Sequence, residues 1–255
     1  MRPFGAGDHR LSFINRGDPN SGLYLILLLV LVTQVVGGRS LPEPRQIFAV
    51  LGSFIIATTI HEFMHAYTAW RLGDSTARDL GRITLNPLMH FEPFGFFGMV
   101  MISLGYSFIG WGKPVPVNPN RLSGPGILQR QRAMALVAVA GPLSNVVQAA
   151  AVAIPLRIAR NNGTDLGELG YYMEWFLWVN ILLAAFNMIP IPPLDGHKIL
   201  TGLLPNFWYP ILAPMERYGF IILFVLFFIS GRIGGEGITS AMISPVRDLL
   251  IRLLL

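Results

Sequence analysis

Between Ile47 and Leu72 the chain reads IFAVLGSFIIATTIHEFMHAYTAWRL. About twenty of these residues are apolar or small, enough for one helical crossing of a bilayer. Three ionisable residues, His61, Glu62 and His65, nevertheless stand in its second half. An ionisable group at that depth costs about 3 kcal/mol, so its presence points to function. On a helix His61 and His65, four residues apart, stack on one face and can reach a single cation. Glu62 is turned by about 100° from His61, close enough to touch a water on that cation without binding the cation itself. In the H-E-x-x-H arrangement two histidines hold Zn²⁺ and the glutamate is the general base of a hydrolase. The expected protein is a metal hydrolase whose site lies within the membrane.

Composition agrees. Of the 255 residues 53% are hydrophobic and only 13% are charged, with a mean hydropathy of +0.54. Soluble domains carry about 25% charge, so this is the composition of a polytopic membrane protein. Spans and short connections use almost the whole length, with no gap for a separate soluble domain. The net charge of +5 is better explained by basic cytoplasmic loops than by nucleic-acid binding. The absence of cysteine excludes disulfides and thiolate zinc sites, so a metal here must use histidine and carboxylate.

The expected fold is all-α, with about five transmembrane helices, short extended loop segments and a re-entrant or half-buried segment near 93–110. Residues 1–22 read as a flexible arm, 23–230 as one membrane-embedded domain with a core at about 47–204, and 231–255 as an amphipathic tail. The spans are Leu23–Val36, Ile47–Leu72, Ala133–Ile158, Trp175–Pro190 and Tyr218–Ser230. The first is read as retained, because Val35-Val36-Gly37-Gly38 is a poor signal-cleavage site. Gly73–Glu92 reads as short extended pieces. Trp111–Asn120, rich in proline, is extended too. Gly141-Pro142 is expected to interrupt the third span, and Arg157–Tyr172 is expected to be a polar connection. Ile238–Leu255 suits a helix on the membrane surface.

A catalytic zinc takes three protein ligands. Candidates for the third include His9, Glu174 and Asp195. Asp195 follows Pro190, Pro192 and Pro193, which must break the helix. Non-helical backbone at membrane depth survives only where protein buries it or a watery cavity receives it. A carboxylate at such a break is placed as a ligand would be. The spacing alone also permits an interfacial helix end.

Three motifs together carry a resemblance: His61-Glu62-Phe-Met-His65, Ala140-Gly141-Pro142-Leu-Ser-Asn145, and Asn187-x-x-Pro190-x-x-Pro193-Leu194-Asp195-Gly196. The chain from about Ile47 to Leu204 resembles the site-2 protease family of intramembrane zinc metalloproteases, in a compact prokaryotic branch without PDZ or CBS domain. The resemblance implies one Zn²⁺ per chain on His61, His65 and Asp195, with Glu62 catalytic. It implies that Asn187 steadies substrate or oxyanion, with Gly141, Pro142, Asn145, Pro190 and Gly196 in support. The implied partners are the bilayer and the transmembrane segment of a membrane-protein substrate, cleaved by regulated intramembrane proteolysis. Gly141-Pro142 also reads as a kink that permits close packing near the zinc helix, and Gly196 as a sharp turn. His90 and His197 read as loop and interfacial residues. Trp111 and its prolines read as an interfacial loop, or as an edge for an unwound substrate.

Two other readings compete. One is a polytopic zincin such as a prenyl-protein endopeptidase, whose third ligand is usually a Glu on a later helix; no such Glu lies within a later span. The other is a catalytically silent relative or metal carrier, for which the intact Glu62 has no use. His61 and Asp195 each lie near the C-terminal end of a span. Those spans must run in one direction, with a single return crossing between them. Placing the arm, 71–132 and 198–217 inside puts 12 of the 19 lysines and arginines there, so the site is expected to open to the cytoplasm of a prokaryotic plasma membrane.

Overall fold

The computed structural model describes residues 41–106, 108–123, 127–230 and 238–255. The arm 1–22 and the expected span Leu23–Val36 lie outside them. Every regular element among the described residues is helical, as expected: α1 (Pro44–Arg71), α2 (Thr76–Asp79), α3 (Pro93–Ser103), α4 (Ile127–Asn161), α5 (Gly167–Asn187), α6 (Asp195–Leu203), α7 (Tyr209–Ser230) and α8 (Ile238–Leu254), with 3-10 turns at Pro87–His90 and Asn206–Trp208. Among them three helices are long and apolar enough to cross a membrane, α1, α4 from Gln129, and α5.

α1 starts on Pro44, whose missing N–H and fixed φ suit a first turn. It ends where Gly73 takes φ 104° and the Asp74 N–H reaches back to Ala69 O, 2.9 Å away. In lipid there is little hydrophobic drive between helices, so close packing of small residues takes over. Ala57, Ala66 and Ala69 of α1, Ala149 of α4 and Ala185 of α5 have no exposed surface. Val50, Phe54 and Ala57 of α1 pack with Met99 of α3 and Val179 of α5.

α3 has eleven residues, about 16 Å of rise, which is half of a bilayer core. The chain turns at Gly105, φ 84°, and comes back without regular structure through 108–118. Helix and return strand touch backbone to backbone: a Cβ on Gly95 would overlap the Trp111 carbonyl, and one on Gly98 the Ile109 carbonyl. This is the half-buried segment expected near 93–110.

Several expected boundaries are corrected. The stretch 73–92 is not simply extended. It holds α2 and the 3-10 turn, whose N-terminus Asn86 caps by accepting from the Leu88 N–H at 3.1 Å. α4 runs through Pro142 and Pro155 without a break. The expected polar connection 157–172 shrinks to 162–166, because Gly163 and Gly167 take positive φ in the turn and Asp165 caps the Gly167 N–H at 2.8 Å. α7 begins at Tyr209 rather than Tyr218, with Pro210 tolerated in its first turn. α6 was not foreseen as a helix at all. α8 turns Leu250, Val246 and Ile251 onto Ala149 and Ala153 of α4 and Leu177 of α5, so it docks on the bundle.

A single turn joins α4 to α5, and α3, with eleven residues, is too short to cross as a helix. Positions 78 and 121 should therefore share one side of the membrane, with 162 on the other. Single cysteines can be placed in this cysteine-free chain as Arg78→Cys, Arg121→Cys and Asn162→Cys. Impermeant maleimide should label the first two from the same side and the third only from the opposite side.

Candidate metal centre

His61 and His65 leave α1 one turn apart, with their Nε2 atoms 3.0 Å from each other. Each Nε2 lies 3.1 Å from Asp195 Oδ2. All three residues are buried. The outward nitrogens fix the ring states. His65 Nδ1 lies 2.7 Å from Val137 O, and His61 Nδ1 lies 2.6 Å from Asn145 Oδ1. Both oxygens can only accept, so each Nδ1 donates outward, and in the neutral ring that leaves Nε2 as the inward-facing ligand atom. Two imidazole nitrogens and one carboxylate oxygen thus face one another at 3.0 to 3.1 Å, a spacing that a shared cation would hold together. Around a tetrahedral Zn²⁺ with bonds of about 2.05 Å, ligand atoms stand about 3.3 Å apart. The triangle here is close to one face of that tetrahedron, and its N, N, O donor set suits the ion.

Asp195 reaches this point through the broken chain after α5. The path from Met188 to Leu194 contains three prolines, and α6 opens on Asp195 itself with Leu194 as its N-cap. Gly196 has no left-handed φ, contrary to the turn expected of it. What it provides is room, because a Cβ there would overlap the Met188 and Ile189 carbonyls. Gly202 lies as closely on Gln131 O and Ala135 of α4, so α6 is docked at both ends. Gly141 gives the close packing expected of it: a Cβ would intrude on both imidazoles, 2.6 Å from His61 Nε2 and closer still to His65. Pro142 follows it inside α4, and Pro190 lies in the connector between α5 and α6.

A cavity of about 360 Å³ opens beside the triad. Glu62, Thr58, Asn187, Trp111, Lys198 and Phe220 help line it. Among the described residues the Glu62 carboxylate has no hydrogen-bonding partner, so it is uncommitted. Asn187 donates from Nδ2 to Leu183 O of its own helix at 2.9 Å. The return segment forms one cavity wall, and its outer side is pinned. Asp74 accepts from the Asn118 N–H at 2.6 Å, the buried Arg82 donates to Lys113 O, and the Lys113 N–H donates to His90 O at 2.8 Å. Burial would raise the Asp74 pKa, but donors from Thr76 and Asn118, with Arg121 nearby, bring it below the ordinary carboxylate value. Burial pulls the Arg82 pKa down, against the opposing pull of the Glu62 carboxylate.

The structure thus gathers His61, Glu62, His65, Asp195, Asn187, Asn145 and Gly141. It leaves out the other candidates. His90 Nε2 donates to Thr84 O at 2.8 Å, a loop bond. His197 is buried with its Nε2 3.7 Å from Glu216 Oε1, away from the triad. Glu174 lines a separate cavity with Arg157 and Arg160. His9 lies outside the described residues. Asn180 went unnoticed in the sequence. It is a fully buried amide on α5 whose Oδ1 accepts from Asn145 Nδ2 at 2.9 Å. The signal was present, since Asn180 is an amide inside a span two turns before Asn187 and on the same face.

Comparison with known proteins points the same way. Peptidase family M50 matches residues 147–230. "Putative zinc metalloprotease YwhC" of Bacillus subtilis is 33% identical over 206 residues, covering 79% of this chain and 88% of that protein. "Putative zinc metalloprotease Rip2" of Mycolicibacterium smegmatis is 30% identical over 211 residues, 79% of this chain and 78% of its own length. "Putative zinc metalloprotease MJ0611" of Methanocaldococcus jannaschii is 37% identical over 89 residues, 34% of this chain and 44% of that one. No solved structure matches.

Metal analysis of purified variants checks the centre. Asp195→Asn and Gly141→Ala should each weaken zinc retention by more than about 100-fold, beyond what losing an outer partner does. His90→Ala and His197→Ala should bind as the parent does. Loss of zinc from His90→Ala with full retention by Asp195→Asn would exchange their roles.

Proposed function

The chain belongs to peptidase family M50, the site-2 protease family, and from that premise we propose that it is an intramembrane zinc metalloprotease. In this reading it hydrolyses a peptide bond in or near a transmembrane helix of a membrane-protein substrate, in regulated intramembrane proteolysis. The observation that carries the reading is an uncommitted Glu62 carboxylate on one cavity with three converging metal-ligand atoms. A metal carrier would need the triad but not the free base.

His61, His65 and Asp195 would hold one Zn²⁺, which would supply Lewis acidity and make water a nucleophile near neutral pH. Glu62 accepts the proton of the attacking water and delivers it to the leaving amine nitrogen. The Asn187 amide keeps one N–H beyond its bond to Leu183, and that N–H steadies the carbonyl oxygen under attack. A substrate helix has its scissile bond shielded by its own hydrogen bonds, so it must unwind locally. The extended wall 109–117 beside the triad offers backbone along which an unwound strand can lie. Phe220 of α7 stacks edge-on to Trp111, 5.7 Å between centroids, and closes that wall toward the bundle. The site is assigned to the cytoplasmic side of a prokaryotic plasma membrane from the lysine and arginine distribution.

The test separates binding from chemistry. In vesicles carrying a reporter with one transmembrane helix and a central Gly-Pro pair, Glu62→Gln should keep its zinc and lose cleavage by at least about 10²-fold. Near-parental cleavage by that variant removes Glu62 from the mechanism. A parent that binds zinc and cuts no transmembrane reporter favours the carrier.

A further inference from the structure

A chain of amides crosses all three long helices and ends on a metal-ligand histidine. It starts at Phe176 O on α5, a backbone oxygen that can only accept. Asn180 Nδ2 donates to it at 2.9 Å, so the Asn180 amide must turn its Oδ1 the other way. That oxygen receives Asn145 Nδ2 of α4, 2.9 Å away. Asn145, committed by its NH₂ group to Asn180 and at 3.4 Å to Ala57 O, must in turn present Oδ1 to α1. There it meets His61 Nδ1 at 2.6 Å. Asn145 and Asn180 both have no exposed surface, so no water competes for either amide.

We infer that Asn180 is a positioning residue for the metal centre, fixing through Asn145 the tautomer and ring direction of His61. The inference rests on the proposed zinc reading and extends it to a residue that touches neither metal nor cavity. Its force is directional. Each amide has one oxygen and one NH₂ group, so a fixed acceptor at Phe176 sets the sense of every later bond. Without Asn180 Oδ1, Asn145 can rotate by 180° and offer an NH₂ group to His61. Nδ1 must then give up its proton to accept, and Nε2, now protonated, cannot bind a cation. Outer partners of this kind are worth about 10- to 100-fold in metal affinity. His65 has no such dependence, because its Nδ1 donates straight to the Val137 backbone.

The experiment is chelator competition for zinc on the purified full chain in lipid nanodiscs, with three variants. Asn180→Leu removes the acceptor at similar volume. Asn180→Asp keeps an oxygen for Asn145 Nδ2. Ile181→Ala opens a void in the same buried layer, where Ile181 packs with Leu177 and Ala184, without touching the amides. Asn180→Leu should lose zinc about 10- to 100-fold more readily than the parent. Asn180→Asp and Ile181→Ala should hold it as the parent does, even if Ile181→Ala melts earlier. Parental zinc retention in Asn180→Leu overturns the inference. So does an equal loss in Ile181→Ala, which would assign the effect to packing, or an Asn180→Asp chain as weak as Asn180→Leu. A parent that takes up no zinc at all sinks the proposed function, and this inference with it.

Discussion

Two histidine nitrogens and one carboxylate oxygen converge on one point inside an apolar bundle, and the placement of most other elements answers to that convergence. Two of them come from one turn of α1, where the helical repeat itself sets their separation. The third must arrive from a helix 130 residues later in the chain at the same depth and from a compatible direction. That requirement forces α1 and α5 to run the same way and makes α4 the single return. It also keeps α3 from crossing. The negative charge of Asp195 offsets part of a divalent charge whose burial would otherwise be prohibitive.

The amides and the outer imidazole nitrogens behind this centre are satisfied inside the bundle. A buried amide or imidazole nitrogen without a partner costs about 1–3 kcal/mol, and no solvent reaches Asn145 or Asn180. The answer is a chain of side chains, each meeting the next on a neighbouring helix. The extended return segment solves the related problem for unpaired backbone. One side faces the cavity and the other is bonded to Asp74, Arg82 and His90. At Lys113 and Asn118 the non-helical backbone is therefore tied to protein, as such chain at membrane depth requires.

Much of this was legible in the sequence, and for a specific reason. His61, Glu62 and His65 are close in sequence, so helix geometry alone brings them together. Asp195 was legible because prolines break a span only where something receives the freed backbone. The half-crossing at 93–110 followed from the need to keep Asp195 on the face of the histidine pair. Boundaries were less visible. Proline usually ends a helix, yet α4 carries Pro142 and Pro155, because its neighbours hold it in place. α6 was hidden for a different cause: nine residues with two glycines have little intrinsic helicity, and its docking on α4 is tertiary. Gly141 was read correctly as a place of close packing, though without the kink expected there, whereas Gly196 was flagged for flexibility where the fold requires absence of bulk. Asn180 was missed because an amide in a span, even one that shares a face with Asn187, names no partner until the neighbouring helix is known.

Gly141 also bears on how such a chain can drift. Every L-residue other than glycine puts carbon where the two imidazoles converge, so this position has no neutral neighbours in sequence space. One turn away on the same helix, Leu136, Leu143 and Val147 are more than half exposed and face outward, where lipid accepts nearly any apolar side chain. α4 therefore holds two rates of change on one cylinder: a fixed seam along the histidines and a free stripe behind it. In an α4 written out from many descendants of this chain, a period of 3.6 in variability would trace the metal's position without any structure at hand.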